Sequence, residues 1–196
     1  MYDPEYFIGD PGAQMDDWIL QDAPDNCAVA AEMSIINQFI STPLSIDEAS
    51  YISDANGWYQ PGCGTSSEQV GQLMDAFGVP HHTVTDGTID QLVQELRDGH
   101  GVIVGVNSSE LWDEGIWGAI KQFFLDAFGL DDIIPADHAV VVTGIDNSDP
   151  ANPMVIINDS GMPNGAAVRY PLDQFMDAWE NSGFYYVATS IPIPHA

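Results

Sequence analysis

The sequence predicts an α+β fold in which a mostly helical first half packs against a mostly antiparallel sheet formed by the second half. The main observation is a change of hydrophobic period near residue 100. Before this point apolar residues recur at helical spacing, and after it they form continuous β-branched runs. In addition, no repeat or low-complexity linker interrupts the 196 residues. Because this is a one-domain length that can bury a proper core, we expect a single domain over residues 1–196.

The first elements are an irregular arm and a central helix. Residues 1–17 are acidic and punctuated by proline and glycine, which indicates an irregular N-terminal arm. A helix is predicted to begin near Cys27, behind Asp25 and Asn26, which are both good N-cap residues. Its apolar positions form two adjacent rows: Ala28, Ala31, Ile35 and Phe39, and Val29, Met33, Ile36 and Ile40. A helix that is apolar over most of its circumference belongs in the centre of a fold.

Two further helices carry start signals of the capping-box type. Ser45 and Glu48 form one such signature, which opens a helix through Ile52. Thr65 and Glu68 form the other, and the buried face of that helix comprises Val70, Leu73, Met74 and Phe77, with Gly78 as the stop. A short helix over residues 88–98 completes the first half.

The second half reads as a sheet with two helical interruptions. Strands are predicted over residues 101–106, 139–145, 154–157 and 184–189, and a helix over residues 173–180. A further segment, residues 109–136, begins with a strongly apolar helical face. It is interpreted as an extra helix packed on the core, with a lid or substrate groove as the alternative.

Four polar residues stand out because their types and order suit thiol chemistry. Cys27 lies at a helix start, where unpaired N–H groups and the helix dipole favour the nucleophilic thiolate. His138 opens a predicted strand, and Asp159 ends the next one. Cysteine, base and orienting carboxylate in this order make a nucleophilic triad, and Gln21, six residues before the thiol, is placed to donate to an oxyanion. The competing interpretation of Cys27 is a small buried hydrophobe.

The chain resembles a papain-like cysteine peptidase, closest to the bacteriocin-processing (double-glycine leader) peptidase family and its stand-alone relatives. The matching pieces follow the order of that family: Gln21-x5-Cys27, Gly64-Thr65 through Phe77-Gly78, Gly101-Val-Ile-Val-Gly105, His138-Ala-Val-Val-Val-Thr-Gly144 and Asn158-Asp159.

This resemblance implies a role for each site residue. Gln21 is the oxyanion-hole residue, Cys27 the nucleophile, His138 the base and Asp159 the residue that orients the base. The family often has Asp-Pro where this chain has Asp-Ser. Because other papain-like enzymes use asparagine, Asn158 is the alternative third member.

The expected activity is cleavage of a peptide or amide bond in a peptide or protein substrate. No metal or organic cofactor is expected, since the sequence lacks a Cys/His cluster with zinc spacing and a calcium-loop pattern. Amidase, deamidase or transpeptidase activity would use the same residues. Two non-enzymatic alternatives are an inactive relative that serves as an acidic binding module and a small acidic secreted or surface interaction protein.

Cys63, in a turn, is expected to be an incidental thiol, although a disulfide with Cys27 is the other option.

The charge of the chain is strongly one-sided. Thirty acidic residues against three basic ones give a formal net charge of −27. Such a surface repels nucleic acid and anionic membranes, so neither is an expected partner. Adaptation to high salt is the favoured explanation, ahead of an extracellular acidic protein and of attraction for a cationic substrate.

No apolar run is long enough to span a membrane and no signal peptide is recognised. A mature secreted form and the cytoplasm of a high-salt organism both fit, and the oligomeric state is left open.

Overall fold

The computed structural model describes residues 6–112 and 137–194. Its helices in these ranges are α1 Pro11–Gln14, α2 Cys27–Ile36, α3 Ile46–Ala55, α4 Gln72–Ala76, α5 Ile89–Arg97, α6 Ser108–Leu111 and α7 Leu172–Glu180. Its strands are β1 Phe7–Gly9, β2 His81–Val84, β3 Val102–Asn107, β4 Asp137–Asp146, β5 Met154–Asn158, β6 Val168–Pro171 and β7 Tyr186–Thr189. The predicted α+β class is confirmed, with most helices before residue 100 and most strands after it.

The strands form one antiparallel sheet whose order within the described residues is β2-β7-β3-β4-β5-β6, and β1 pairs with the far end of β4. In the register of the central pairs, Val106 lies opposite His138, and Val141 lies opposite Asn158. Because β4 and β5 run antiparallel, the beginning of β4 and the end of β5 meet at the same edge of the sheet. The predicted base and carboxylate both lie at that edge.

The sheet is buried on both faces, because alternate residues of its central strands enter two separate cores. On β4, Val140 and Val142 belong to one core, and Ala139 and Val141 belong to the other. Apolar residues of α5 and α7 complete the first core, and those of α2, α3 and α4 complete the second. Full burial of each such valine contributes roughly 1.5–3 kcal/mol. Packing from two sides therefore fixes β4, and with it the position of His138.

Helix α2 is the central helix that the apolar pattern predicted. Every residue from Ala28 to Ile36 is buried, and the helix ends at Ile36, earlier than the apolar rows suggested. Asn26 occupies the N-cap position, but its side chain does not cap the helix. Its carboxamide oxygen accepts from the backbone N–H of Ala23 at 3.2 Å, and its nitrogen donates to Asp22 Oδ1 at 2.6 Å. The turn before Cys27 is thus built from side-chain contacts of its own.

The two predicted capping boxes have different outcomes. The one formed by Ser45 and Glu48 is present and opens α3. The one predicted for Thr65 and Glu68 is wrong, because α4 begins only at Gln72.

The late start of α4 follows from Gly71. This glycine has a φ of 101°, in the left-handed region that stops a helix. A Cβ on Gly71 would lie 2.4 Å from Nε2 of His81, so the histidine ring occupies the space that a side chain would need. A helix that began at Thr65 would have to run through this position.

Two other predictions need correction. Residues 7–17 of the N-terminal arm are not irregular, since β1 and α1 lie within them and β1 extends the sheet. Strands β2 and β6 are not among the predicted strands, because each has only four residues, and Arg169 within β6 faces solvent. Of the predicted extra segment, residues 109–112 lie in and directly after α6, and residues 113–136 lie outside the described residues. No helix in the described ranges is long and apolar enough to cross a membrane.

Candidate active site

Three secondary-structure elements bring the four predicted site residues to one edge of the sheet. Cys27 is the first residue of α2, which packs on β4. His138 is the second residue of β4, and Asp159 directly follows β5. Gln21 lies in the turn before α2, and its backbone N–H donates to the carbonyl oxygen of Ser160 at 2.9 Å. The turn before the thiol is therefore attached to the segment that carries the carboxylate.

His138 and Asp159 form a short, buried polar contact. Nε2 of His138 lies 2.7 Å from Oδ1 of Asp159, and the two side chains are 7% and 0% exposed. Because an ionised carboxylate only accepts hydrogen bonds, we assign the proton to Nε2. Nδ1 is then the ring nitrogen that remains for the thiol.

The Asp159 carboxylate has two further donors. The indole N–H of Trp112 donates to Oδ2 at 2.8 Å, and the backbone N–H of Gly161 donates to Oδ1 at 2.9 Å. A carboxylate with no exposure to water needs such donors, because a buried polar group without hydrogen-bond partners is destabilising. Both oxygens are satisfied, so the side chain is held in one orientation towards His138.

The Cys27 thiol lies close enough to the His138 ring for each group to shift the pKa of the other. Burial favours the neutral thiol, but the hydrogen bond and charge of His138, with the backbone N–H groups of Ala139 and Ala28, outweigh it and lower the pKa of Cys27. Burial likewise disfavours the imidazolium, but the charge and hydrogen bond of Asp159, together with Cys27, raise the pKa of His138 to about 10. The two shifts favour a thiolate–imidazolium pair at neutral pH.

The Gln21 side chain is buried in the turn before α2. Its carboxamide oxygen accepts from the Ser160 hydroxyl at 3.1 Å, and its nitrogen donates to the carbonyl oxygen of Ala23 at 2.9 Å. A carboxamide nitrogen has two N–H groups, so one contact does not exhaust its donors. Because the carboxamide oxygen faces the Ser160 hydroxyl, the carboxamide nitrogen is the end that points away from Ser160.

Asn158, the alternative third member, makes other contacts. Its nitrogen donates to the backbone carbonyl of Gln14 at 2.8 Å, and its oxygen accepts from the backbone N–H of Ala167 at 2.9 Å. These contacts join the N-terminal segment and the start of β6 to the end of β5. The structure thus brings Asp159, and not Asn158, to His138.

Cys63 lies away from the thiol–imidazole pair in sequence and is exposed, and both cysteines are free. Its loop is nevertheless attached to the turn before α2. One Asp25 carboxylate oxygen accepts from the Tyr59 hydroxyl at 2.8 Å, and the other accepts from the backbone N–H of Gly62. Among residues 6–112 and 137–194, no three His, Cys, Asp or Glu side chains are grouped so as to hold a metal ion.

Sequence reasoning missed two residues of the site, Trp112 and Gly161. The Trp112 ring lies 5.2 Å from the His138 ring, centroid to centroid. A Cβ on Gly161 would lie 3.1 Å from both the His138 ring and the Trp112 ring. The absence of a side chain at Gly161 therefore lets both rings lie against the backbone there. The sequence placed Trp112 in an apolar helical face, and nothing in its spacing pointed to a contact 47 residues away.

Comparison with solved structures supports the fold. A protein from Bacillus anthracis described as a C39-like peptidase superposes with a TM-score of 0.63 at 16% identity, over 96% of this chain and 99% of its own. The peptidase domain of Streptococcus ComA, a bifunctional ABC transporter involved in a quorum-sensing pathway, gives a TM-score of 0.53 at 15% identity, over 88% of this chain and 96% of its own. At these identities the likeness concerns the fold.

Comparison of sequences reaches further. Uncharacterized proteins of Mycobacterium bovis and Mycobacterium tuberculosis are 30% identical to this chain over 207 aligned residues, covering 93% of this chain and 84% of theirs. The model of the Peptidase_C39 like family matches residues 11–187, a range that contains Gln21, Cys27, His138 and Asp159. The resemblance to a papain-like peptidase is thereby confirmed, and the chain belongs to the Peptidase_C39 like family.

Proposed function

We propose that this protein is a thiol hydrolase that cleaves a peptide or amide bond through Cys27, His138 and Asp159. The observation that carries the proposal is the 2.7 Å contact of the His138 ring with the buried Asp159 carboxylate, together with the interaction of the same ring with the Cys27 thiol. The geometry and the two pKa shifts suit a nucleophile that is already ionised when substrate arrives. A cysteine kept only for packing has no need of such partners.

In the proposed reaction, the Cys27 thiolate attacks the carbonyl carbon of the scissile bond. The oxyanion that forms is stabilised by a carboxamide N–H of Gln21 and by the backbone N–H of Cys27, which lies at a helix start where N–H groups lack intrahelical partners. His138 then gives its Nδ1 proton to the leaving amine, and a thioester remains. Water, deprotonated by His138, cleaves the thioester and releases the acid.

Asp159 contributes in two ways. Its hydrogen bond to Nε2 keeps Nδ1 directed at the thiol, and its negative charge stabilises the imidazolium. Since the pKa of His138 is raised to about 10, the ring keeps its proton through the neutral range. The ion pair is lost on the acid side, where the thiolate takes up a proton.

The test is peptide cleavage by the intact chain, read by mass spectrometry on a mixed peptide library. We expect cleavage by the wild type and by Cys63→Ser, and none by Cys27→Ala or His138→Ala, with all four proteins folded by circular dichroism. Cleavage that persists in Cys27→Ala would overturn the proposal. A parallel measurement is alkylation of Cys27 by iodoacetamide in the Cys63→Ser protein, in which an activated thiol reacts well below the pH expected from an ordinary pKa of about 8.5.

A further inference from the structure

Trp112 occupies a position in the site that the proposed reaction does not use. It directly follows α6, is 5% exposed, and donates its indole N–H to Oδ2 of Asp159 at 2.8 Å. Its ring is tilted by 58° against the His138 ring at 5.2 Å. The tryptophan therefore touches both members of the Asp159–His138 pair.

We propose that Trp112 is a positioning residue that holds the Asp159 carboxylate in its orientation towards His138, and that it thereby sets how strongly the Cys27 thiol is activated. The proposal rests on the thiol hydrolase function proposed above and names a residue through which the same site is tuned.

The physical argument starts from the burial of Asp159. A carboxylate at 0% exposure has no water to replace a lost donor, and Oδ2 is held by the Trp112 indole. Without this N–H, Oδ2 loses its donor, and the carboxylate is less firmly held in the orientation that brings Oδ1 to His138. Within the part of the chain that the structure describes, the titratable groups that act on His138 are Asp159 and Cys27. A weaker interaction between Asp159 and His138 therefore stabilises the imidazolium less, and the imidazolium in turn stabilises the Cys27 thiolate less.

Trp112 is itself held in place. Its backbone N–H donates to the carbonyl oxygen of Ser108 at 2.9 Å, which closes α6. On the neighbouring helix α7, Nε2 of Gln174 donates to the carbonyl oxygens of Leu111 at 2.8 Å and Glu110 at 3.2 Å. Contacts from α7 thus fix the end of α6 from which the indole reaches Asp159.

The structure offers a matched control in Trp18. Its indole N–H also donates to Asp159, at 2.7 Å, but to the backbone carbonyl oxygen and not to the carboxylate. Trp18→Phe and Trp112→Phe each remove one indole N–H that donates to Asp159, the first from its backbone carbonyl oxygen and the second from its carboxylate. Only the second change removes a hydrogen bond from the charged group that faces His138.

The experiment measures the rate of Cys27 alkylation by iodoacetamide as a function of pH, with Cys63→Ser as the parent so that one thiol reacts. We expect Trp112→Phe to move the acid-side inflection to higher pH, lowering the rate at pH 5–6 by about threefold to tenfold, in line with the loss of a hydrogen bond to a charged group. Trp18→Phe should leave the inflection in place. Gln174→Ala, which loosens α6 without touching the site, should shift it in the same direction by less.

The outcomes separate this inference from the proposed function. An ordinary thiol profile in the Cys63→Ser parent would overturn the proposed function. A lowered inflection in the parent that stays in place or moves to lower pH in Trp112→Phe would overturn the role of Trp112 alone. Thermal melting checks that each variant is folded, and if Trp112→Phe does not fold, an unchanged profile in Gln174→Ala counts against the inference.

Discussion

Asn158 and Asp159 are neighbours in sequence, yet their side chains bind different parts of the molecule. The Asn158 carboxamide joins the backbone of Gln14 to that of Ala167, whereas the Asp159 carboxylate lies 2.7 Å from Nε2 of His138. One residue therefore holds segments together, and the next one faces the thiol–imidazole pair.

This difference predicts opposite effects of two substitutions. Asp159→Ala should lower peptide cleavage by about 100-fold or more, because His138 loses the group that orients it and stabilises its charge. Asn158→Ala should retain most cleavage but lower the free energy of unfolding by about 1–3 kcal/mol, since the backbone groups of Gln14 and Ala167 lose their partner. Rates on a cleaved peptide and thermal melting of both variants provide the comparison. The reverse pattern would make Asn158 the third member of the triad.

A second prediction concerns the carboxamide of Gln21. Gln21→Ala should lower kcat by about 10²–10³-fold, the usual effect of removing one oxyanion donor, while alkylation of Cys27 by iodoacetamide stays close to the wild-type rate. Alkylation forms no oxyanion, so the two readouts separate stabilisation of the intermediate from activation of the thiol. Ser160→Ala, which removes the hydroxyl that donates to Gln21 at 3.1 Å, is the milder control. Similar kcat values for Gln21→Ala and wild type would mean that Gln21 is structural.

Glu32 supports a prediction on stability as a function of pH. It is 2% exposed on α2, and Oε2 accepts from the backbone N–H groups of Leu73 at 3.0 Å and Met74 at 3.2 Å at the start of α4. Burial, only partly offset by these hydrogen bonds, raises the pKa of Glu32 to about 8. The folded state therefore binds a proton here between pH 4.5 and about 8 that the unfolded chain has released.

Because the folded state binds more protons in this range, the contribution of Glu32 to stability falls as the pH rises from 4.5 towards 8. Glu32→Gln keeps the accepting oxygen but removes the titration, so its melting temperature should decline less between pH 5 and 8. Glu68→Gln makes the same charge change at an exposed position. It is the control, because the histidines and the other surface acids contribute equally to the pH dependence of both variants. Equal slopes for the two variants would show that Glu32 is ionised in the folded protein throughout this range.

The composition leads to a prediction about salt. With a formal net charge of −27 and three basic residues, of which Arg169 pairs with Asp146 at 2.7 Å, most acidic side chains have no cationic partner to offset them. The Debye length falls from roughly 30 Å at 0.01 M to 3 Å at 1 M, so salt removes a repulsion that folding increases. The thermal midpoint should therefore rise with sodium chloride, most steeply in the first few hundred millimolar. A flat or falling series would contradict the high-salt interpretation.

Much of the site could be anticipated because its members carry local signals. Cys27 follows a turn and starts an apolar helix, His138 begins a β-branched run, and Asp159 ends one. Trp112 and Gly161 carry no such signal, since their contribution lies in contacts between distant segments. The side of β5 on which Asp159 emerges also became definite only with the register of β4 and β5.

The errors in the fold have a similar origin. Thr65 and Glu68 have the spacing of a capping box, but the chain enters α4 only after Gly71, which has a left-handed φ and lies against the His81 ring. This contact joins two elements that the sequence treats as separate. β1 and β6 are short edge pieces with three and four residues, whose pairing with β4 and β5 supplies what their own sequences lack.

The thiol activation proposed above depends on buried contacts around Asp159 that join distant parts of the chain. Gln21 and Ser160 meet across 139 residues, and the indole of Trp18 reaches Asp159 across 141. Contacts of such separation form late in folding, because the loops between them must close first. A chain that is still being synthesised therefore carries Cys27 as an ordinary thiol until at least Asp159 has emerged from the ribosome. During refolding, the time at which fast alkylation of Cys27 begins would report when the two halves of the molecule dock.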